Sequence, residues 1–144
     1  MEALLTPTTA GKVQIIDDDL GICALVQEVL SAEGFDVQST NTGESGLLTA
    51  RTWLPDILLC DLNLPDLHGT EIIRRIKAER ADLEVIVVTS HATVATAIEA
   101  LRSGASDYLY KPFDQIELLV KAVKRAHQHQ QLLLNNAHLI GLLK

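Results

Sequence analysis

Four aspartates follow short apolar runs and are the residues best suited to chemistry in this chain. Asp17, Asp18 and Asp19 come directly after the run Val-Gln-Ile-Ile, and Asp61 follows Ile57–Cys60. If both runs are parallel strands, their carboxyl ends meet at one sheet edge, where open α/β sheets bind ligands. Several carboxylates at one edge require a cation, and oxygen ligands suit a hard ion such as Mg²⁺ or Mn²⁺. For Asp19 alone, capping of the following helix is an equally good interpretation.

Hydroxyl and ammonium groups follow two further apolar runs. Thr89 and Ser90 end the run that contains Val-Ile-Val-Val, and either hydroxyl could donate to a phosphoryl oxygen. Lys111 follows the last run and precedes Pro112, whose ring restricts the backbone of the lysine. The ammonium of Lys111 could neutralise a transferring phosphoryl group, and in the resting state it should form a salt bridge with Asp61.

The elements that must position these residues alternate along the chain. β-Branched runs are separated by segments of helical period, which is typical of an α/β fold with a doubly wound parallel sheet. The strands contain little polar alternation, which indicates burial on both faces. The predicted strands are Val13–Asp17, Phe35–Thr40, Asp56–Asp61, Glu84–Thr89 and Asp107–Tyr110.

The helices between these strands carry apolar stripes that could cover the sheet. In the first helix, Leu20/Leu25/Val29 together with Ile22/Val26/Leu30 form one stripe, and in the fourth helix the stripe is Val94/Ala97/Ile98/Leu101.

Local signals mark several helix ends. Gly34 and Gly104 stand where a left-handed residue should end a helix. Asp114 and Glu117 form a capping-box pattern at the start of the last helix.

Composition excludes several classes of function. The net charge of −7 has the wrong sign for gripping nucleic acid through its phosphates. No apolar run approaches the roughly 20 residues of a membrane-spanning helix, and the first residues do not form a secretory signal. Cys23 and Cys60 have no metal-ligand spacing and are interpreted as core residues. We therefore expect a cytoplasmic protein without direct contacts to nucleic acid or membrane.

Five separated motifs, in order, resemble those of two-component response regulator receiver domains, over roughly residues 12–127. They are Val-Gln-Ile-Ile-Asp-Asp-Asp, Leu-Leu-Cys-Asp-Leu-Asn-Leu-Pro-Asp-Leu-His-Gly, Val-Ile-Val-Val-Thr-Ser, Gly-Ala-Ser-Asp-Tyr-Leu-Tyr and Lys-Pro-Phe.

The resemblance implies a flavodoxin-like (βα)5 fold and a phosphorelay function. A sensor histidine kinase or phosphotransfer protein would supply the phosphoryl group, and the domain would catalyse only its own phosphotransfer and dephosphorylation. The resemblance also implies specific roles. Asp61 is the phosphoacceptor, and the Mg²⁺ ligands are Asp17, Asp18, Asp61 and the backbone carbonyl of Asn63. Thr89 and Tyr108 are the hydroxyl and the aromatic residue of the conformational switch, and Lys111 matches the family's lysine before a cis proline.

Two questions at the site stay open. Ser90 could replace Thr89 as the switch hydroxyl, although the strand register favours Thr89. His91 and Asn63 occupy positions that in similar receivers tune hydrolysis of the aspartyl phosphate.

Two other functions use a similar sheet edge. A haloacid dehalogenase-type phosphatase also phosphorylates an aspartate at a strand end, but it needs a general acid two residues later, and here that residue is Asn63. A flavin or nucleotide module would need a phosphate loop rich in Gly, Ser and Thr after the first strand, where this chain has three acids.

The last helix predicts both domain organisation and assembly. We expect a receiver over 11–127 and a helical linker over 128–144, leading to an output domain outside this sequence. The linker resembles those that precede AAA+ domains of nitrogen-regulation-type transcription activators. A heptad pattern predicts a coiled-coil homodimer, because no sheet should remain to be covered beyond Arg125. Its a and d positions are Ile116, Leu119, Val123, Ala126, Gln130, Leu133, Ala137 and Ile140.

Overall fold

Strands and helices alternate strictly along the chain, as the sequence predicts. A computed structural model describes the backbone of residues 11–111 and 116–143, and side chains up to residue 135. The elements are β1 (Lys12–Ile16), α1 (Leu20–Ala32), β2 (Asp36–Thr40), α2 (Gly43–Trp53), β3 (Ile57–Cys60), α3 (Gly69–Glu79), β4 (Glu84–Thr89), α4 (Val94–Ser103), β5 (Asp107–Tyr110) and α5 (Ile116–Leu143). The last two predicted strands agree to the residue, and the first three differ by one residue at one or both ends.

The five strands form one parallel sheet in the order β2-β1-β3-β4-β5. This order confirms the doubly wound fold and puts the carboxyl ends of β1, β3 and β4 side by side. Alternate residues of β3 enter different cores: Ile57 and Leu59 pack with α1 and α5, whereas Leu58 and Cys60 pack with α2 and α3. Burial on both faces explains why these strands lack polar alternation.

The turn signals and the core cysteines are confirmed where the structure describes them. Gly34 and Gly104 have φ values of 95° and 117°, which a residue with a side chain rarely adopts. Cys23 and Cys60 are both buried. Asp114 and Pro112 lie outside the described residues, and so do the capping-box pattern and the cis peptide bond predicted there.

The prediction that the apolar stripe of α4 covers the sheet is wrong. Val94, Ile98 and Leu101 are 78%, 44% and 53% exposed, and only Ala100 of this helix is buried. The helix packs against α3 and β5 through this small residue, which leaves its larger apolar side chains on the surface.

The single apolar stripe predicted for α1 is confirmed only in part. Val26 and Leu30 are buried and Ile22 packs against them, whereas Leu20 and Leu25 are 69% and 40% exposed.

Helix α5 follows the receiver further than the sequence predicts. The expectation that nothing remains to cover beyond Arg125 is wrong, because Ala126 and Gln130 are 6% and 0% exposed. Gln130 Nε2 donates to the main-chain oxygens of Asp56 at 2.9 Å and Asp82 at 3.2 Å, just before β3 and β4. The heptad positions up to Gln130 therefore face their own domain. Among the described residues, no helix is long and apolar enough to span a membrane.

Candidate functional site

Three of the predicted metal ligands converge at the carboxyl end of the sheet. Ile16 of β1 pairs with Cys60 of β3, so the next residues, Asp17 and Asp61, are neighbours. Carboxylate oxygens of Asp17, Asp18 and Asp61 all lie within 4.8 Å of one another. Asp17 and Asp61 are buried and Asp18 is exposed, so the cluster opens to solvent on one side.

Lys111 supplies a positive charge to this cluster. Its ammonium Nζ lies 2.7 Å from Asp17 Oδ2 and 3.3 Å from Asp61 Oδ2, and its side chain is only 8% exposed. The amide of Lys111 donates to the carbonyl of Thr89 at 2.8 Å, which holds the lysine beside the end of β4. The predicted salt bridge to Asp61 is confirmed, and the shorter contact is to Asp17.

Burial dominates the electrostatics of the cluster. Removal from water raises the pKa of Asp17, and this effect outweighs its hydrogen bonds from Lys111 and from the amide of Asp19. Burial alone would lower the pKa of Lys111, but the hydrogen bond to Asp17 and the charges of Asp17 and Asp61 raise it. One ammonium thus faces three carboxylates. An all-oxygen cluster with excess negative charge fits a hard divalent cation.

Asp19 has a different task from the other three acids. Its Oδ1 accepts hydrogen bonds from the amides of Gly21 at 2.9 Å and Ile22 at 3.1 Å. The capping interpretation is therefore confirmed for Asp19, which begins α1 rather than joining the carboxylate cluster.

The loop between β3 and α3 folds back tightly beside Asp61. The amide of Asn63 donates to Asp61 Oδ1 at 3.2 Å, and Asn63 also forms an antiparallel bridge with His68. Gly69 closes the loop: its amide donates to the carbonyl of Leu62 at 2.9 Å, and a Cβ at Gly69 would collide with the backbone of Asp61 and Leu62. The sequence analysis did not identify Gly69, although a glycine in the first turn of a helix, directly after a loop, can indicate close approach of the backbone.

The two candidate switch hydroxyls differ sharply in exposure. Thr89 is 0% exposed and its Oγ1 accepts from the amide of His91 at 3.2 Å, whereas Ser90 is exposed. Only Thr89 is part of the buried end of β4 next to Lys111. This placement agrees with the strand-register argument for Thr89.

Tyr108 is half-buried and connects to helix α4. Its hydroxyl lies 2.7 Å from Thr96 Oγ1, and Thr96 Oγ1 also donates to the carbonyl of His91 at 3.3 Å. A chain of hydrogen bonds thus runs from Thr89 through His91 and Thr96 to Tyr108. Thr96 was missed at the sequence level because its spacing marks it only as a helix-capping residue.

The histidines near this edge stand outside the acidic cluster. His68 caps α3, since its side chain accepts from the amide of Thr70 at 3.3 Å, and His91 is exposed. In the part of the chain that the structure describes, the one group of side chains able to hold a metal consists of Asp17, Asp18 and Asp61.

Comparisons with known proteins agree on one family. The family model of the response regulator receiver domain matches residues 13–124. The transcriptional regulatory protein ZraR of Escherichia coli K12 is 35% identical over 118 residues, which are 81% of this chain and 27% of ZraR. The cell cycle response regulator CtrA of Brucella ovis is 31% identical over 132 residues, 90% of this chain and 57% of CtrA. The chain therefore spans about a quarter to just over half of the length of these relatives.

A solved structure supports the same relationship. The crystal structure of NtrX from Brucella abortus in complex with ADP superposes with a TM-score of 0.85 at 28% identity. The match covers 91% of this chain and 30% of the NtrX chain. The similarity again extends over one portion of a longer protein.

Proposed function

The chain belongs to the response regulator receiver domain family of two-component signalling, and we propose that Asp61 is its phosphoacceptor, with a divalent cation held beside it. The contact pattern at Asp61 carries the proposal. This buried carboxylate contacts Lys111 and lies within 4.8 Å of the carboxylates of Asp17 and Asp18. Asp17, Asp18, Asp61 and the main-chain carbonyl of Asn63 would hold Mg²⁺ or Mn²⁺.

The reaction is a transfer of one phosphoryl group to oxygen. A carboxylate oxygen of Asp61 attacks the phosphorus as the donor's P–N or P–O bond breaks, and the leaving group departs with the electron pair. Phosphoryl transfer relies mainly on positioning and charge stabilisation. Lys111 supplies one positive charge beside the acceptor, and the cation, when bound, neutralises further charge on the phosphoryl oxygens.

The response to phosphorylation runs through Thr89. A phosphoryl group on Asp61 offers acceptor oxygens to the Thr89 hydroxyl, which in the resting state bonds to the amide of His91. Drawing Thr89 toward Asp61 disturbs this bond and, through His91 and Thr96, the position of Tyr108. Phosphorylation shifts the equilibrium between the two conformations because the contact between the phosphoryl group and the Thr89 hydroxyl exists mainly in one of them.

The proposed partners follow from membership of the receiver family. A sensor histidine kinase or phosphotransfer protein supplies the phosphoryl group in the cytoplasm, and the part of α5 beyond Gln130 connects the receiver to an output domain that acts on transcription. Neither nucleic acid nor membrane contacts the receiver itself. The domain catalyses only its own phosphotransfer and a dephosphorylation without a general acid, since position 63 is Asn.

We also propose a homodimer through the end of α5. Beyond Gln130 this helix exposes three consecutive leucines, Leu132, Leu133 and Leu134, at 61%, 45% and 44%. The heptad residues before Leu133 pack against their own receiver. The apolar seam of a and d residues that is available to a second copy is therefore shorter than the sequence predicts. Leu133 is its first member, followed by Ala137 and Ile140.

Intact-mass analysis after incubation with acetyl phosphate tests the phosphoacceptor. We expect wild type to gain the mass of one phosphoryl group with Mg²⁺ and to gain none in chelator, because three carboxylates repel the incoming anion. Asp61→Asn should gain none. Asp19→Asn is the matched control, since Asp19 caps α1, and it should be modified like wild type. Uptake in Asp61→Asn, or in chelator, would falsify the assignment.

A further inference from the structure

The loop between β3 and α3 is hydrogen-bonded to α2, a helix that supplies none of the site residues described above. Asp66, in this loop, accepts hydrogen bonds through both carboxylate oxygens from the first turn of α2. Gly43 N lies 2.7 Å from Oδ1, and Glu44 N lies 2.9 Å from Oδ2.

Within the described part of the chain, these two amides have no other hydrogen-bond partner. The first amides of a helix lack acceptors within the helix. Thr42, the N-cap of α2, accepts from the amide of Ser45, and the Ser45 side chain accepts from the amide of Thr42. This capping box leaves the amides of Gly43 and Glu44, which Asp66 takes. The two hydrogen bonds lower the pKa of Asp66, so the carboxylate is charged at neutral pH.

The contact between the loop and α2 is close enough to require glycine. A Cβ at Gly43 would lie 2.8 Å from Leu67 Cβ and 3.1 Å from Asp66 Oδ1. Leu64 and Leu67, on either side of Asp66, pack against the core shared by α2 and α3. The outer part of the loop is therefore held by two apolar contacts and one bidentate hydrogen-bonded contact.

The same loop carries the proposed carbonyl ligand. Asn63 is fixed on one side by its bridge to His68, and the loop lines, together with Asp18, an open depression beside the carboxylate cluster. A backbone ligand has no rotamers of its own, so its position depends on what holds the loop.

We infer that Asp66 is a positioning residue for the metal site: by bonding to the amides of Gly43 and Glu44, it holds the β3–α3 loop so that the backbone of Asn63 is ready to bind the cation. The inference rests on the proposed function. It differs from a purely structural role for Asp66, because a helix cap alone stabilises α2 without affecting metal affinity.

Mg²⁺ binding to the full chain, measured by calorimetry without a phosphoryl donor, tests the inference. Removing residues that hold metal ligands in place weakens metal affinity by roughly 10- to 100-fold, and we expect Asp66→Ala to fall at about the tenfold end because it acts through the backbone. Asp66→Asn keeps one of the two acceptor oxygens, so its Mg²⁺ affinity should fall less than that of Asp66→Ala.

Thr42→Ala is the matched control, because it removes the other cap of the same helix end without touching the loop. Its Mg²⁺ affinity should equal that of wild type. Amide resonances of Gly43 and Glu44 show independently whether each Asp66 variant has lost its hydrogen bonds. If Asp66→Ala does not fold, the Mg²⁺ affinity of Asp66→Asn, read together with these resonances, decides whether the inference holds.

The outcomes separate the inference from the function it rests on. Wild-type affinity in an Asp66 variant with altered Gly43 and Glu44 resonances overturns the inference and leaves the phosphoacceptor assignment intact. An equal loss in Thr42→Ala also overturns it, since α2 stability would then be the cause. If wild type binds no Mg²⁺ and takes up phosphoryl equally with and without it, the proposed function fails and the inference fails with it.

Discussion

Lys111 is bound more closely by Asp17 than by the proposed phosphoacceptor. The distances from Nζ are 2.7 Å to Asp17 Oδ2 and 3.3 Å to Asp61 Oδ2, and Asp17 is fully buried. The lysine therefore has a structural partner that stays in place when Asp61 is modified. The sequence predicts the salt bridge to Asp61 but not the shorter one to Asp17.

Lys111→Ala should lower both phosphorylation and stability. Removing one partner of a buried ion pair costs about 3–5 kcal/mol because the other charge is left uncompensated. If the carboxylate cluster of the folded state binds Mg²⁺, as proposed, the cation should restore part of this loss. Urea unfolding with and without Mg²⁺ measures both effects. Lys121→Ala, at an exposed position of α5, is the control and should change stability by less than about 0.5 kcal/mol. Equal stability of Lys111→Ala and wild type would show that the contact to Asp17 contributes nothing.

Thr89→Ala should accept phosphoryl normally and fail to transmit the change. The substitution removes the hydroxyl at the start of the hydrogen-bond chain to Tyr108 but leaves Asp61, Lys111 and the acids in place. NMR signals of the Tyr108 ring, recorded before and after phosphorylation, should move in wild type and stay still in the variant. Ser90→Ala, one residue away and exposed, should respond like wild type. The reverse pattern would make Ser90 the switch hydroxyl.

Asp66 should titrate at unusually low pH. Hydrogen bonds from the amides of Glu44 and Gly43 lower its folded-state pKa, so the folded protein binds this proton less readily than the unfolded chain. Its contribution to stability is therefore complete above the unfolded pKa of about 3.9 and is lost as pH falls through the folded pKa. Following the Asp66 side-chain carbon and the Gly43 and Glu44 amides by NMR should give one common midpoint, lower than the ordinary pKa of an aspartate. Asp66→Asn should abolish this titration of the two amides.

The positions that the sequence predicts well are those decided by residue type and strand order. Asp17 and Asp61 follow apolar runs, and parallel strands place both at one edge, so their proximity follows from local pattern plus one rule of topology. Lys111 and Thr89 reach the same edge for the same reason.

The positions that the sequence predicts poorly depend on partners that residue types do not reveal. The stripe of α4 has helical period, but periodicity does not say which surface covers it, and Ile98 faces outward. Gln130 and Asp66 bond to main-chain groups of distant segments, and main-chain groups leave no signature in a side-chain pattern. A polar residue on an apolar stripe, such as Gln130, is equally consistent with a coiled coil and with a buried hydrogen bond.

Gln130→Ala should destabilise the receiver, whereas Gln131→Ala should not. Gln130 Nε2 donates to the carbonyls of Asp56 and Asp82, and a buried carbonyl left without a donor costs about 1–3 kcal/mol. The carbonyl of Asp56 keeps a second donor, the amide of Glu84 at 3.4 Å, and the substitution also removes Gln130 Oε1, a buried atom that has no hydrogen-bond partner among the described residues. We therefore expect a loss of about 1–3 kcal/mol for Gln130→Ala. Gln131 is the adjacent residue of the same type and is exposed, so its loss should be below about 0.5 kcal/mol. Chemical unfolding of both variants measures the difference, and similar stabilities would mean that water replaces Gln130 without cost.

Assembly through α5 is best tested by substitution, because truncation at Arg125 would also remove Ala126 and Gln130 from the receiver core. Leu133 occupies a d position and Leu132 does not, yet both are exposed in the single chain, at 45% and 61%. If two copies pair along the seam, Leu133→Asn replaces a buried apolar contact and should weaken association at least tenfold, since losing a buried leucine costs roughly 2 kcal/mol or more. Leu132→Asn changes polarity equally but lies off the seam, and should sediment like wild type. Analytical ultracentrifugation at tens of micromolar, with and without acetyl phosphate and Mg²⁺, distinguishes the variants. Equal sedimentation of all three chains as monomers in both conditions would exclude the seam as a dimer interface.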